Sequence, residues 1–97
     1  MGIWYRDTQG QVGYHMYATP RGNCKATWNK SGFQHISGDL PPGLYFHGSR
    51  IKGTPTQPGR WQVTVKFIGV TCMGRKYEDE TVNVELNIKG YAPRKVQ

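Results

Sequence analysis

The most constraining feature of this chain is a run of strict two-residue alternation. Over residues 61–67 the odd positions are Trp61, Val63, Val65 and Phe67, and the even ones are Gln62, Thr64 and Lys66. A period of two puts one set on a dry face and the other on a wet face, which a strand can do and a helix cannot. Residues 80–88 repeat the pattern, with Val82, Val84, Leu86 and Ile88 on the inward side. Two punctuated stretches precede the first of these strands, Leu40-Pro41-Pro42-Gly43-Leu44 and Gly53-Thr54-Pro55-Thr56-Gln57-Pro58-Gly59. The prolines fix φ and cannot donate to a ladder, so they mark edges or corners. Gly43 and Gly59 can take the positive φ that tight turns often require.

The rest of the chain reads as shorter strands between breakers. Residues 3–7 are rich in β-formers and predict a first strand. Residues 8–11 read as a turn. The alternation then resumes from Val12 to Ala18, with Tyr14, Met16 and Ala18 on one face and His15 and Tyr17 on the other. Residues 19–23 carry several breakers and read as a loop. Residues 25–29 predict a third strand with Ala26 and Trp28 inward, followed by a turn and a return strand over residues 33–36. Ser37-Gly38-Asp39 reads as a break before the Pro-Pro corner, and residues 44–46 and 51–52 as brief strands. Residues 72–77 read as a loop or hairpin tip. No segment sustains a 3.6-residue period. Many short strands with regular breakers predict an all-β sandwich or barrel, with Trp28, Trp61, Val63, Val65, Phe67, Val82, Val84, Leu86 and Ile88 as its core.

Ninety-seven residues suit one domain. It is expected over residues 1–90, with a basic tail at 91–97 that frays. No apolar run approaches the roughly 18–20 residues needed to cross a bilayer, and no basic-then-apolar leader is visible. Lysine and arginine number 13 against 6 acidic residues, a net charge of +7. Such a balance either keeps a small domain soluble or serves an anionic partner.

The wording around the alternating strand is specific as well. The sequence Leu40-Pro41-Pro42-Gly43-Leu44, then Ile51, then Gly53-Thr54-Pro55-Thr56-Gln57-Pro58-Gly59-Arg60-Trp61-Gln62-Val63-Thr64-Val65, resembles the He_PIG family of bacterial immunoglobulin-like domains. The resemblance covers roughly residues 11–90. It implies an immunoglobulin-like antiparallel sandwich of two sheets. The cysteine pair, an apparent insertion around residues 33–36 and a longer tip after Val70 depart from the family pattern and bear on loop geometry.

On that topology the third and the penultimate strands are antiparallel neighbours. Cys24 precedes the strand holding Trp28 and Cys72 follows the strand holding Trp61, so both fall at one end, within reach of a disulfide. A bond would point to the periplasm, the cell surface or the extracellular space; the alternative is two unpaired thiols in a cytosolic protein.

Catalytic signals are poor. His15, His35 and His47 lie in separate segments without metal-ligand spacing, and together with the cysteines they could form a zinc site only through the fold. Glu78-Asp79-Glu80 is a local acidic run without the calcium-loop pattern. The serines lack a nucleophile-elbow context, and no phosphate-binding glycine loop is present. Asn29-Lys30-Ser31 matches a glycosylation sequon, a motif short enough to arise by chance. No catalytic residue, cofactor or metal is therefore expected, and an enzyme is the least supported reading.

Binding is better supported. Arg21, Lys25, Arg75 and Lys76 lie in two loops that the expected topology brings to one end, where Tyr77 and Tyr17 could join them, Tyr77 as the aromatic anchor. The resemblance implies a non-enzymatic module of a bacterial or phage surface or envelope protein that contacts other proteins. The charge supports a second reading, a binder of polyanions such as nucleic acid or acidic glycan that uses the basic loop end.

Overall fold

The computed structural model describes residues 1–90; the expected basic tail lies outside them. The described chain is all-β, with eleven strands and no helix, hence none long and apolar enough to cross a membrane. In chain order they are β1 (Ile3–Arg6), β2 (Gln9–Gln11), β3 (Met16–Gly22), β4 (Trp28–Asn29), β5 (Gly32–Gly38), β6 (Leu44–His47), β7 (Arg50–Gly53), β8 (Gly59–Ile68), β9 (Thr71–Cys72), β10 (Arg75–Lys76) and β11 (Glu80–Lys89).

Two four-stranded sheets dominate, in the orders β1-β3-β7-β6 and β2-β11-β8-β5. A small third sheet has the order β10-β9-β4. The two alternating runs are the long strands β8 and β11, paired antiparallel with Val65 opposite Val82 and Val63 opposite Val84. Their inward side chains meet those of the other sheet in one core cluster. Val63, Val65, Phe67, Val82, Val84, Leu86 and Ile88 come from one sheet, and Ile3, Met16, Ala18 and Ile51 from the other. Phe67 is fully buried and is the hub of an aromatic group, with the rings of Phe33, Trp28 and Tyr5 centred 5.2, 5.7 and 6.2 Å away. Tilted and edge-on packing of this kind adds to plain area burial.

The proline-glycine stretches form one interlocked corner. Leu44 N–H donates to the Pro41 carbonyl and Thr56 N–H to the Pro42 carbonyl, both at 3.0 Å, while Leu44 pairs with Gly53 across the β6–β7 ladder. Pro41 and Pro55 are fully buried. Gly43 has φ 96°, and a Cβ on it would collide with the Thr54 carbonyl oxygen. Only glycine fits that backbone and that approach.

Several expectations need correction. Residues 9–11 are a strand, and its pairing is parallel, with Gly10 opposite Ile88. Gln-Gly-Gln carries no β-former, but its glycine lets the backbone lie against Met16 and Ile88. Residues 19–22 continue β3 instead of forming a loop. There β3 changes partners, pairing with β7 through residues 16–18 and with β1 through residues 19–22. Pro20 thus falls where β3 has one neighbour, a place where a strand tolerates proline. The third strand is shorter than expected, and Ala26 is exposed. Ser37 and Gly38 belong to β5, whose register shifts by a bulge between His35 and Ser37. Trp28 and Trp61 border the core and are only partly buried.

Candidate functional site: a basic, aromatic sheet face

In the sheet β1-β3-β7-β6 alternate residues point away from the core. Ile3, Met16, Ala18 and Ile51 are buried, while Trp4, Tyr17, Arg50 and Tyr45 are exposed. The registers arrange the outward residues in rows, since directly opposed residues in an antiparallel pair share a face. Tyr45 lies opposite Lys52, and Lys52 opposite Tyr17. His47 lies opposite Arg50, whose guanidinium stands 5.9 Å from the centre of the Tyr17 ring. Trp4 lies opposite Arg21, and Arg6 opposite Thr19. These four strands contain four cations, Arg6, Arg21, Arg50 and Lys52, and no acidic residue.

The other large sheet contrasts with this. Its outward surface holds Arg60 3.9 Å from Glu85 and Lys66 4.0 Å from Asp79. Thr64 donates to Asn83 at 2.9 Å and Gln62 to Glu85 at 3.3 Å. Glu80 accepts the Ile3 N–H at 2.6 Å, and Asp79 accepts the Gly69 N–H at 3.0 Å. Acidic groups on this side have local partners, whereas the four cations of the first sheet have no acidic residue on their own strands.

Beside the start of β7, where β3 runs on past it, the basic face opens into a cleft of about 720 Å³. Arg21, Arg50 and Lys30 line it together with Tyr17 and Trp28. One wall is the β6–β7 turn, held by the Tyr5 hydroxyl, which donates to the Ser49 carbonyl at 2.6 Å. Burial pushes the Tyr5 phenol well above the usual tyrosine range, which keeps it a donor. No buried side-chain nitrogen or oxygen among the described residues lacks a partner.

The cysteines form a disulfide, with Cα atoms 5.9 Å apart. It ties the segment before β4 to the β9–β10 hairpin, where Cys72 pairs with Trp28 on one side and Arg75 on the other. No family model matches the chain, and no curated protein matches it. Among the described residues no group of three or more His, Cys, Asp or Glu is placed to hold a metal ion.

The disulfide places Lys25, next to Cys24, beside the hairpin that carries Arg75 and Lys76, and all three side chains are exposed. Arg21 lies on the outward face of β3, opposite Trp4. Tyr77 packs partly buried against the core, with the Arg75 guanidinium 5.9 Å from its ring centre. Trp4, Arg6, Tyr45, Arg50 and Lys52 were not singled out by sequence reasoning. Their signal was available as residues out of phase with the apolar positions of three short segments. What the sequence withheld was which of these segments are neighbours.

Proposed function

We propose that the chain is an immunoglobulin-like sandwich of the kind its He_PIG-like wording suggests, acting as a non-enzymatic contact module of a bacterial or phage surface or envelope protein. The strand arrangement carries this reading. With β4–β5 taken as one strand position and β1–β2 as a first strand split between sheets, the orders β1-β3-β7-β6 and β2-β11-β8-β5 fit the two immunoglobulin sheets. The disulfide supports a periplasmic or extracellular setting. Work by contact fits a molecule whose distinctive surface is a sheet face. Of the two partner classes, a protein or a polyanion, the acid-free basic face favours the polyanion.

The test is site-specific photo-crosslinking against a bacterial envelope fraction. A crosslinker in place of Tyr45 on the basic face is expected to give defined adducts, and one in place of Asn83 on the opposite sheet to give none. Equal labelling from both positions, or none from either, removes the case for a contact module with a working face.

A further inference from the structure

We infer that the outer face of the β1-β3-β7-β6 sheet binds an acidic polysaccharide, a chain of sugars bearing carboxylate or sulfate groups. The inference rests on the polyanion reading above and names its ligand and its site.

Charge complementarity is the first argument. Lys52 and Arg50 stand on β7 at the middle of the face, Arg21 stands at its end, and none has an acidic neighbour on these strands. The ion pairs among the described residues both involve the opposite sheet, so these cations are not consumed internally. An anionic ligand supplies the counter-charge that the fold does not.

The second argument is the placement of aromatic rings. Tyr17 and Tyr45 flank Lys52 in one cross-strand row and are 41% and 51% exposed, with the Arg50 guanidinium 5.9 Å from the Tyr17 ring centre. Strand spacing puts the two tyrosines about 10 Å apart, twice the ~4.8 Å between neighbouring strands. That span is close to the length of a disaccharide. Sugar rings present C–H groups that suit the electron-rich face of an aromatic ring. A tyrosine, a cation and a second tyrosine therefore match a polysaccharide whose charge recurs between stacked rings. Single-stranded nucleic acid is also bound by basic grooves with aromatic side chains on which successive bases stack; here the two tyrosines stand two strands apart with a lysine between them, and the oligothymidylate arm of the experiment tests that class.

The third argument is the setting. A disulfide is kept in compartments where structural thiols stay oxidised, which are also those where cell-surface glycans are met.

The experiment measures affinity for three probes at physiological salt: polygalacturonate, heparin and single-stranded oligothymidylate, with neutral dextran as control. Three variants accompany the parent chain. They are Y17A/Y45A, which keeps the charge and removes the rings, R50E/K52E, which reverses the charge on the face, and R60E/K66E, which reverses it on the opposite sheet. All six positions are at least partly exposed, and thermal melts confirm folding. The expected result is binding of at least one acidic polysaccharide, weakened tenfold or more by each of the first two variants and less than twofold by the third. Binding that all charge reversals weaken equally and Y17A/Y45A leaves unchanged keeps the polyanion reading and overturns this site. No binding of any probe overturns both. Oligothymidylate binding more tightly than either polysaccharide overturns the ligand class in favour of nucleic acid.

Discussion

At the scale of single residues, the backbone around Gly43 is the least negotiable point in the chain. Alanine there would meet both a positive φ and the carbonyl of Thr54. A strained backbone alone costs of order 1–3 kcal/mol, so Gly43→Ala is expected to destabilise by at least about 2 kcal/mol, read from a shift in urea midpoint. Tyr5 makes a different prediction. Its phenol is harder to ionise when folded than when unfolded, so the folded state holds the proton more tightly. The associated stability is whole below the ordinary tyrosine pKa of about 10 and shrinks as pH rises through the raised folded value. Tyr5→Phe should cost roughly 1 kcal/mol at neutral pH through the lost bond to Ser49 and should flatten the fall in stability above about pH 10 relative to the parent. Parallel slopes in the two proteins would show that Tyr5 is not the group responsible.

At the scale of elements, the disulfide and the Phe67 hub meet at Trp28, which pairs with Cys72 and packs its ring on Phe67. The bond closes a separation of 48 residues, worth up to about 4 kcal/mol by the chain-entropy account. Replacing both cysteines with serine should lower the melting temperature without removing the β signal in circular dichroism. Phe67→Ala should cost about 3–5 kcal/mol, as a fully buried large ring does, whereas Trp61→Ala should cost less because Trp61 is only partly buried. This contrast also shows how much the sequence revealed. Strands β8 and β11 were legible because their sustained two-residue alternation fits only a strand, and the pairing of Cys24 with Cys72, expected from the topology that the family resemblance implies, is formed. Strand β2 was hidden because Gln9, Gly10 and Gln11 become a strand only through pairing with β11. The end of β3 was hidden because proline is a breaker in general and harmless where a strand has one neighbour. The basic face was hidden for the same reason. Trp4 and Arg21 are 17 positions apart in the chain, and only the β1–β3 register makes them neighbours.

At the scale of the whole molecule, the two ends of the described chain depend on each other. Strand β1 completes one sheet, β2 lies against β11 in the other, and Ile3 is bonded to Glu80. Removing residues 1–11 would uncover an edge on each sheet at once, and exposed edges template association. The truncated protein is expected to aggregate or to lose its cooperative melt, as read by light scattering during thermal unfolding. A monomeric, cooperatively melting truncation would show that the core formed by β3 to β11 stands without β1 and β2. The parallel placement of β2 along β11 also governs how the molecule meets mechanical load. Tension applied through the segments before Gln9 and after Lys89 would pull these neighbours past each other along their length. The bonds between them would be strained together in shear instead of parting one at a time, so a module tethered at both ends would resist extension until the whole clasp gave way.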